Sequence, residues 1–391
     1  MSSSTFSRSD STVAAVAVSA AAALIYYALT PFVRSSPNPR CSVKTDQEWF
    51  AQAHQLRLAL DKPLQSRFRV VALFLLEDGI SFIPGTNDEP APSISGAICA
   101  ERCALLQWRL LYRGLATSSS SMVQRIYIVT DAHVPIPPGM LCREYMYGHP
   151  AIDAKTTPIL LQSADPQSPI QRVTLQGIYP HAPIYMGLPI EAQEALGSKL
   201  GITIENTMVL GSCMIPGMNT QQIQTLWKTA HQAAQQERRR DVHSISYGCA
   251  IAVKHHNDNN SHDDDSTSTI RYLSAAQAKA LEYGASIDAV CQILPQLQAL
   301  PSTNSSNNNN NHDTSVILAL IQVDQWGIPH APYAAARSLL VEHGWGHVPC
   351  IVSRLAKSNH LSKEETLEVY TVPTRELAPM VPDFTKPEAD S

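Results

Sequence analysis

At 391 residues the chain is longer than one hydrophobic core usually serves, so two domains or more are expected. Its 44% hydrophobic content supplies ordinary globular cores, and a formal net charge of −5 excludes the basic surplus that a polynucleotide partner requires. Eight scattered cysteines in a chain of this size point to reduced thiols or metal ligands rather than to a disulfide framework.

The first feature in chain order is Ser11–Val33, about twenty apolar residues without a charge, a length that can span a bilayer. An uncleaved anchor is expected, with a removable targeting segment as the alternative. Arg34, Arg40 and Lys44 follow this run, so the positive-inside rule places the body of the protein on the cytoplasmic side. The alternative is a soluble protein delivered to an organelle.

A helical run over Gln47–Leu60 is followed by an apolar strand, Phe68–Leu76, and a turn at Asp78-Gly79. Cys99–Leu111 reads as a helix, Arg125–Val129 as a strand, and Pro138–Arg143 contains a second cysteine, Cys142. The same order returns in the second half. A helical run, Gln221–Arg239, precedes the strand Tyr247–Val253; the helix Gly284–Leu294 answers Cys99–Leu111; the strand Val316–Val323 leads to Pro332–Arg337. Polar low-complexity tracts at 255–268 and 302–313, and a serine loop at 118–121, read as surface insertions. Two α/β units in one order predict duplication, each a sheet with helices on both faces. The expected division is 1–44 anchor or targeting segment, 45–190 first domain, 191–220 linker, 221–385 second domain and 386–391 tail.

Cys99, with Glu101 two residues on and Cys142 far down the chain, supplies the parts of a hydrolytic metal site. Together with its neighbours this pattern resembles the cytidine deaminase family in its fused two-domain form. Four pieces carry the resemblance: Ser66-Arg67-Phe68-Arg69-Val70 with Asp78-Gly79; Gly85-Thr86-Asn87-Asp88-Glu89; Cys99-Ala100-Glu101-Arg102; and Pro138-Gly139-Met140-Leu141-Cys142-Arg143. The resemblance implies a three-layer α/β/α fold in two tandem copies, the second degenerate. It implies Zn2+ as cofactor and hydrolytic deamination of cytidine or deoxycytidine to uridine or deoxyuridine, a step of pyrimidine salvage. It further implies Cys99 and Cys142 as metal ligands, Glu101 as the catalytic proton carrier and Arg102 as a charge balance. Phe68 would lie against the base, and Asn87 and Glu89 would hold the sugar. The residues alone leave Phe68 equally readable as core, and Asn87 with Glu89 as a polar turn. A homodimer and a small nucleoside partner, without nucleic acid, complete the expectation.

Gly139 stands where the family pattern has its first C-x-x-C cysteine. The usual shell of three protein ligands is therefore one short. Cys103, a helical turn beyond Cys99, and His133 are the neighbouring donors, and neither spacing favours them. In the second half Gly284-Ala285-Ser286 is read against Cys-Ala-Glu, and Tyr333 and Ala336 against the two cysteines, so no zinc is expected there. The competing expectation is a non-catalytic deaminase-fold protein, a scaffold or a nucleoside-binding subunit.

Overall fold

The computed structural model describes residues 44–90, 96–112, 122–207, 213–256, 269–281, 285–299, 314–356 and 366–380. The apolar run Ser11–Val33, the serine loop, nearly all of the tract 255–268, the tract 302–313 and the tail lie outside the described residues. Among the described residues no helix is long and apolar enough to cross a membrane. The chain forms two compact units, one on each of two sheets, and residues 138–150 belong with the second.

The first unit begins with α1, Asp46–Ala59. A capping box starts it: Glu48 N donates to Thr45 Oγ1, and Thr45 N donates to the Glu48 carboxylate. The sheet consists of β1 (Val70–Leu76), β2 (Phe82–Thr86), β3 (Val123–Thr130), β4 (Pro158–Gln162) and β5 (Gln171–Thr174). Its order is β2-β1-β3-β4-β5, antiparallel except for the parallel pair β3 and β4. Asp78 and Gly79 make the β1–β2 turn, Gly79 at a φ of 67° and Asp78 Oδ1 accepting from Ile80 N and Ser81 N. Alternate residues Val71, Leu73 and Leu75 pack with Trp49, Phe50 and Ala53 of α1. The helix α2, Ala100–Leu111, lies against β2 at Gly85, where a Cβ would fall 2.0 Å from the Ala100 carbonyl oxygen. Only glycine allows that approach.

The second sheet contains β6 (Tyr247–His256), β7 (Thr269–Ala276), β8 (Thr314–Asp324), β10 (Pro349–Ala356) and β11 (Thr366–Pro373), with the short β9 (Pro329–His330) on β8. Its order, β7-β6-β8-β10-β11, and its strand directions reproduce those of the first sheet, including the one parallel pair. Its helices are α3 (Met140–Tyr147), α4 (Leu175–Ile178), α5 (Ile190–Thr207), α6 (Thr220–Gln236), α7 (Ala289–Gln298), α8 (Ala334–Glu342) and α9 (Thr374–Leu377). Helix α6 buries Ile223, Leu226 and Ala230 against Ala250, Ala252 and Ile321. Helix α7 buries Ala289, Val290, Ile293 and Leu297 against Cys249, Ile251 and Val253 on the other face. The α/β class with helices on both faces of a sheet is thus present.

The span 191–220 carries the helix α5, whose Leu200 is buried and whose Leu196 packs on the same core. One reading of the sequence changes, the register at the second helix. The bridge Asp88–Ile98 immediately precedes Cys99, and its counterpart Ala278–Ile287 immediately precedes Asp288. Asp288, the N-cap of α7, therefore corresponds to Cys99, four residues beyond the Gly284 of the sequence register. Polar and small residues around 284 carried no signal to set that length; the strand bridge sets it.

Candidate metal and nucleoside site

Cys99 is the N-cap of α2, in extended conformation and half-buried, with no side-chain capping bond. Its thiol stands at the positive end of the helix. Arg102, one turn on, donates from Nη2 to the Ala97 carbonyl at 3.1 Å and approaches Cys99 Sγ at 3.8 Å. That guanidinium lies beside the sulfur. Glu101 is 3% exposed. Cys142 lies in the first turn of α3 and is fully buried.

Cys99 Sγ, Cys142 Sγ and a carboxylate oxygen of Glu101 all lie within 4.8 Å of one another. This is the only such group of metal-type donors among the described residues. Two thiols and a carboxylate fit the donor chemistry of zinc. Gly139, the N-cap of α3, adds no donor, and a Cβ built on it meets nothing within 4 Å. Cys103 is outside the group; its sulfur is 3.7 Å from Gln107 Nε2, which also donates to the Pro84 carbonyl. His133 is exposed and outside it as well.

Phe68, Asn87 and Glu89 meet at the start of β1. Asn87 Oδ1 accepts from Val70 N at 2.8 Å, and its Nδ2 donates to the Phe68 carbonyl at 2.8 Å and to Glu89 Oε1 at 3.1 Å. The Glu89 carboxylate also accepts from Ser66 N at 2.7 Å and Ser66 Oγ at 2.8 Å. Both side chains hold the backbone entering β1, and Phe68 is half-buried beside them. The turn reading and the binding reading thus share the same residues.

The corresponding positions of the second unit have a different chemistry. Asp288 replaces Cys99; its carboxylate accepts from Val290 N at 2.7 Å, and burial pushes its pKa up to about 6. Tyr333 is the N-cap of α8 as Gly139 is of α3, and Ala336 stands for Cys142. Lys279 replaces Glu89 and pairs with Glu237 at 2.8 Å, both side chains buried. Burial raises the thiols of Cys249, Cys291 and Cys350, the last two to about 12, which keeps them protonated. Asp288 went unnoticed in the sequence as a helix start, although an Asp immediately before an apolar helical run is an ordinary N-cap signal.

The chain has an α/β architecture with two like-ordered sheets. No protein-family model matches the chain, and no curated protein matches it. Among solved structures it is similar to cytidine deaminase from Burkholderia pseudomallei, with 25% identity over 35% of this chain and 98% of that one, at a TM-score of 0.29. It is also similar to cytidine deaminase from Mycobacterium leprae, with 22% identity over 35% of this chain and 99% of that one, at a TM-score of 0.26. The cytidine deaminase from Mycobacterium tuberculosis matches with 23% identity over 32% of this chain and 81% of that one, at a TM-score of 0.23.

Proposed function

We propose that this chain hydrolyses the exocyclic amine of cytidine or deoxycytidine, taking up water and releasing ammonia and the corresponding uridine. The observation that carries the reading is the convergence of Cys99, Glu101 and Cys142. Cys99 and Cys142 would hold Zn2+, which when bound acidifies water and stabilises developing negative charge. Glu101, 3% exposed, accepts a proton from the attacking water and returns protons to the ring nitrogen and the departing amine. Its burial excludes bulk water from that exchange. Arg102 limits the negative charge that two thiolates and a carboxylate would accumulate. Phe68 supplies an apolar face for a base, and Glu89 with Asn87 offers acceptors and a donor to a diol. A homodimeric assembly and an N-terminal membrane tether belong to the same proposal.

A second reading is favoured by one observation: Gly139 provides no third ligand. In that reading the fold binds a nucleoside, or serves as a scaffold, without turnover. The purified full-length chain separates the two. Deamination predicts about one zinc per chain and ammonia release from cytidine. Glu101→Gln then lowers turnover by roughly 10²–10⁴-fold with metal content unchanged. Zinc-loaded protein that releases no ammonia, or a Glu101→Gln variant as active as wild type, refutes catalysis.

A further inference from the structure

Arg143 and Arg337 are among the largest fully buried side chains, at 0% and 1% exposure. Each lies four residues after its helix N-cap and donates its backbone N–H to that residue's carbonyl, Arg143 to Gly139 and Arg337 to Tyr333. Their guanidinium groups repeat one pattern. Arg143 donates from Nε to the Pro138 carbonyl at 2.7 Å, from Nη1 to Ile178 at 2.7 Å and Pro379 at 2.6 Å, and from Nη2 to Met380 at 2.5 Å. Arg337 donates from Nε to Pro332 at 2.6 Å, from Nη1 to Leu377 at 2.9 Å and Pro180 at 2.8 Å, and from Nη2 to His181 at 2.8 Å.

The two sets are reciprocal. Each arginine holds the residue before its own helix, the end of the short helix that closes its own half, and two successive carbonyls that close the other half. Those successive carbonyls are aimed by residues in the left-handed region, His181 at a φ of 52° and Met380 at 53°. Neither is glycine, so the surrounding contacts must hold each in place. A buried cation is tolerated only when its donors are met, and four carbonyls from three segments do this. A lysine, with three donors on one atom, cannot span the same acceptors.

We infer that Arg143 is the positioning residue that fixes the first turn of α3, and with it Cys142, by binding carbonyls Pro379 and Met380 from the far end of the chain. The guanidinium holds Pro138 O, just ahead of the turn carrying Cys142, and the backbone N–H of Arg143 closes that turn on Gly139 O. Arg337 holds the equivalent turn of α8, which carries Ala336 and no ligand. The two arginines therefore do the same structural work, and only one of them acts on a ligand helix. The metal arm of the test rests on the proposed metal site; the thiol arm does not.

The test compares Arg143→Lys with Arg337→Lys in the full-length chain. The first readout is iodoacetamide labelling of metal-free protein, followed cysteine by cysteine by mass spectrometry. The second is zinc affinity by competition, with the thiolate-to-cobalt absorption of the Co2+ form. Both variants are expected to melt at lower temperature. Only Arg143→Lys is expected to raise Cys142 labelling at least about tenfold while Cys249 stays protected, and to weaken zinc binding by roughly 10–100-fold. Cys142 labelling at the wild-type rate overturns the proposal. So does an equal rise in Arg337→Lys, and so does a joint rise of Cys142 and Cys249, which marks general unfolding. If wild type takes up no zinc, the proposed catalytic function fails, while Cys142 labelling still decides the role of Arg143.

Discussion

Replacing Gly139 by cysteine tests the chemistry of the site at its weakest point. Gly139 is the N-cap of α3 at a φ of −61° and ψ of 156°, a conformation open to any L-residue. A Cβ there meets nothing within 4 Å, so Gly139→Cys introduces neither a clash nor a strained backbone. Loss of glycine's freedom in the unfolded chain should itself add about 0.4–1 kcal/mol of stability. The larger effect concerns the metal. Four-ligand structural zinc sites bind with about 10–16 kcal/mol, or roughly 2.5–4 kcal/mol per ligand. A third protein thiolate on the turn that already carries Cys142 should therefore tighten zinc by about 10²–10³-fold. Competition against a chromophoric chelator measures this directly, and the Co2+ form should gain thiolate charge-transfer intensity. A variant that folds normally but binds zinc no more tightly than wild type would show that Gly139 does not face the metal. The register of Pro138–Arg143 on the deaminase pattern would then be wrong.

Two further outcomes follow from buried groups of the second unit. Burial pushes Asp288 up to about 6, opposed by the hydrogen bond from Val290 N and reinforced by the charge of Glu144. Its unfolded value is near 3.9, so the native state holds the proton more tightly. The contribution of Asp288 to stability should be greatest below about pH 4, fall by about 3 kcal/mol as pH rises through about 6, and level off above it. Asp288→Asn retains a capping side chain and should flatten that part of the urea-midpoint profile; an unchanged slope would assign the dependence elsewhere. Gln322 is fully buried, and neither its Oε1 nor its Nε2 has a hydrogen-bond partner. Gln322→Leu should raise stability by about 1–3 kcal/mol in chemical denaturation, and a lowered midpoint would mean that the amide is satisfied in solution.

Much of the fold was legible because short-range physics writes it locally. Alternating Val71, Leu73 and Leu75, the Asp78-Gly79 turn and the amphipathic run from Ala100 to Trp108 each announce one element. The repeated order of strands and helices likewise predicted two like-ordered sheets. The helix α5 carries Leu196 and Leu200 at helical spacing, but three-dimensional packing rather than sequence showed what they rest on. The register at Asp288 was missed because a loop between strand and helix can lose or gain residues without leaving a periodic mark. At the candidate site, Cys99, Glu101 and Cys142 were singled out by their resemblance to a deaminase pattern, and that resemblance also marked Gly139 as the position without a donor.

The sequence by itself determined which donor atoms exist and which one is absent, since side-chain chemistry is fixed residue by residue. Only the tertiary structure decided that Cys99, Glu101 and Cys142 converge, because they come from separate helix starts that chain spacing does not bring together. It also decided what surrounds them: the close approach of α2 to Gly85, and the carbonyls of Pro379 and Met380 around Arg143. These contacts join positions more than two hundred residues apart, 236 and 237 for the two carbonyls. No local pattern records a partner so distant, because a buried guanidinium requires only that some carbonyls meet it, not that they be near in sequence.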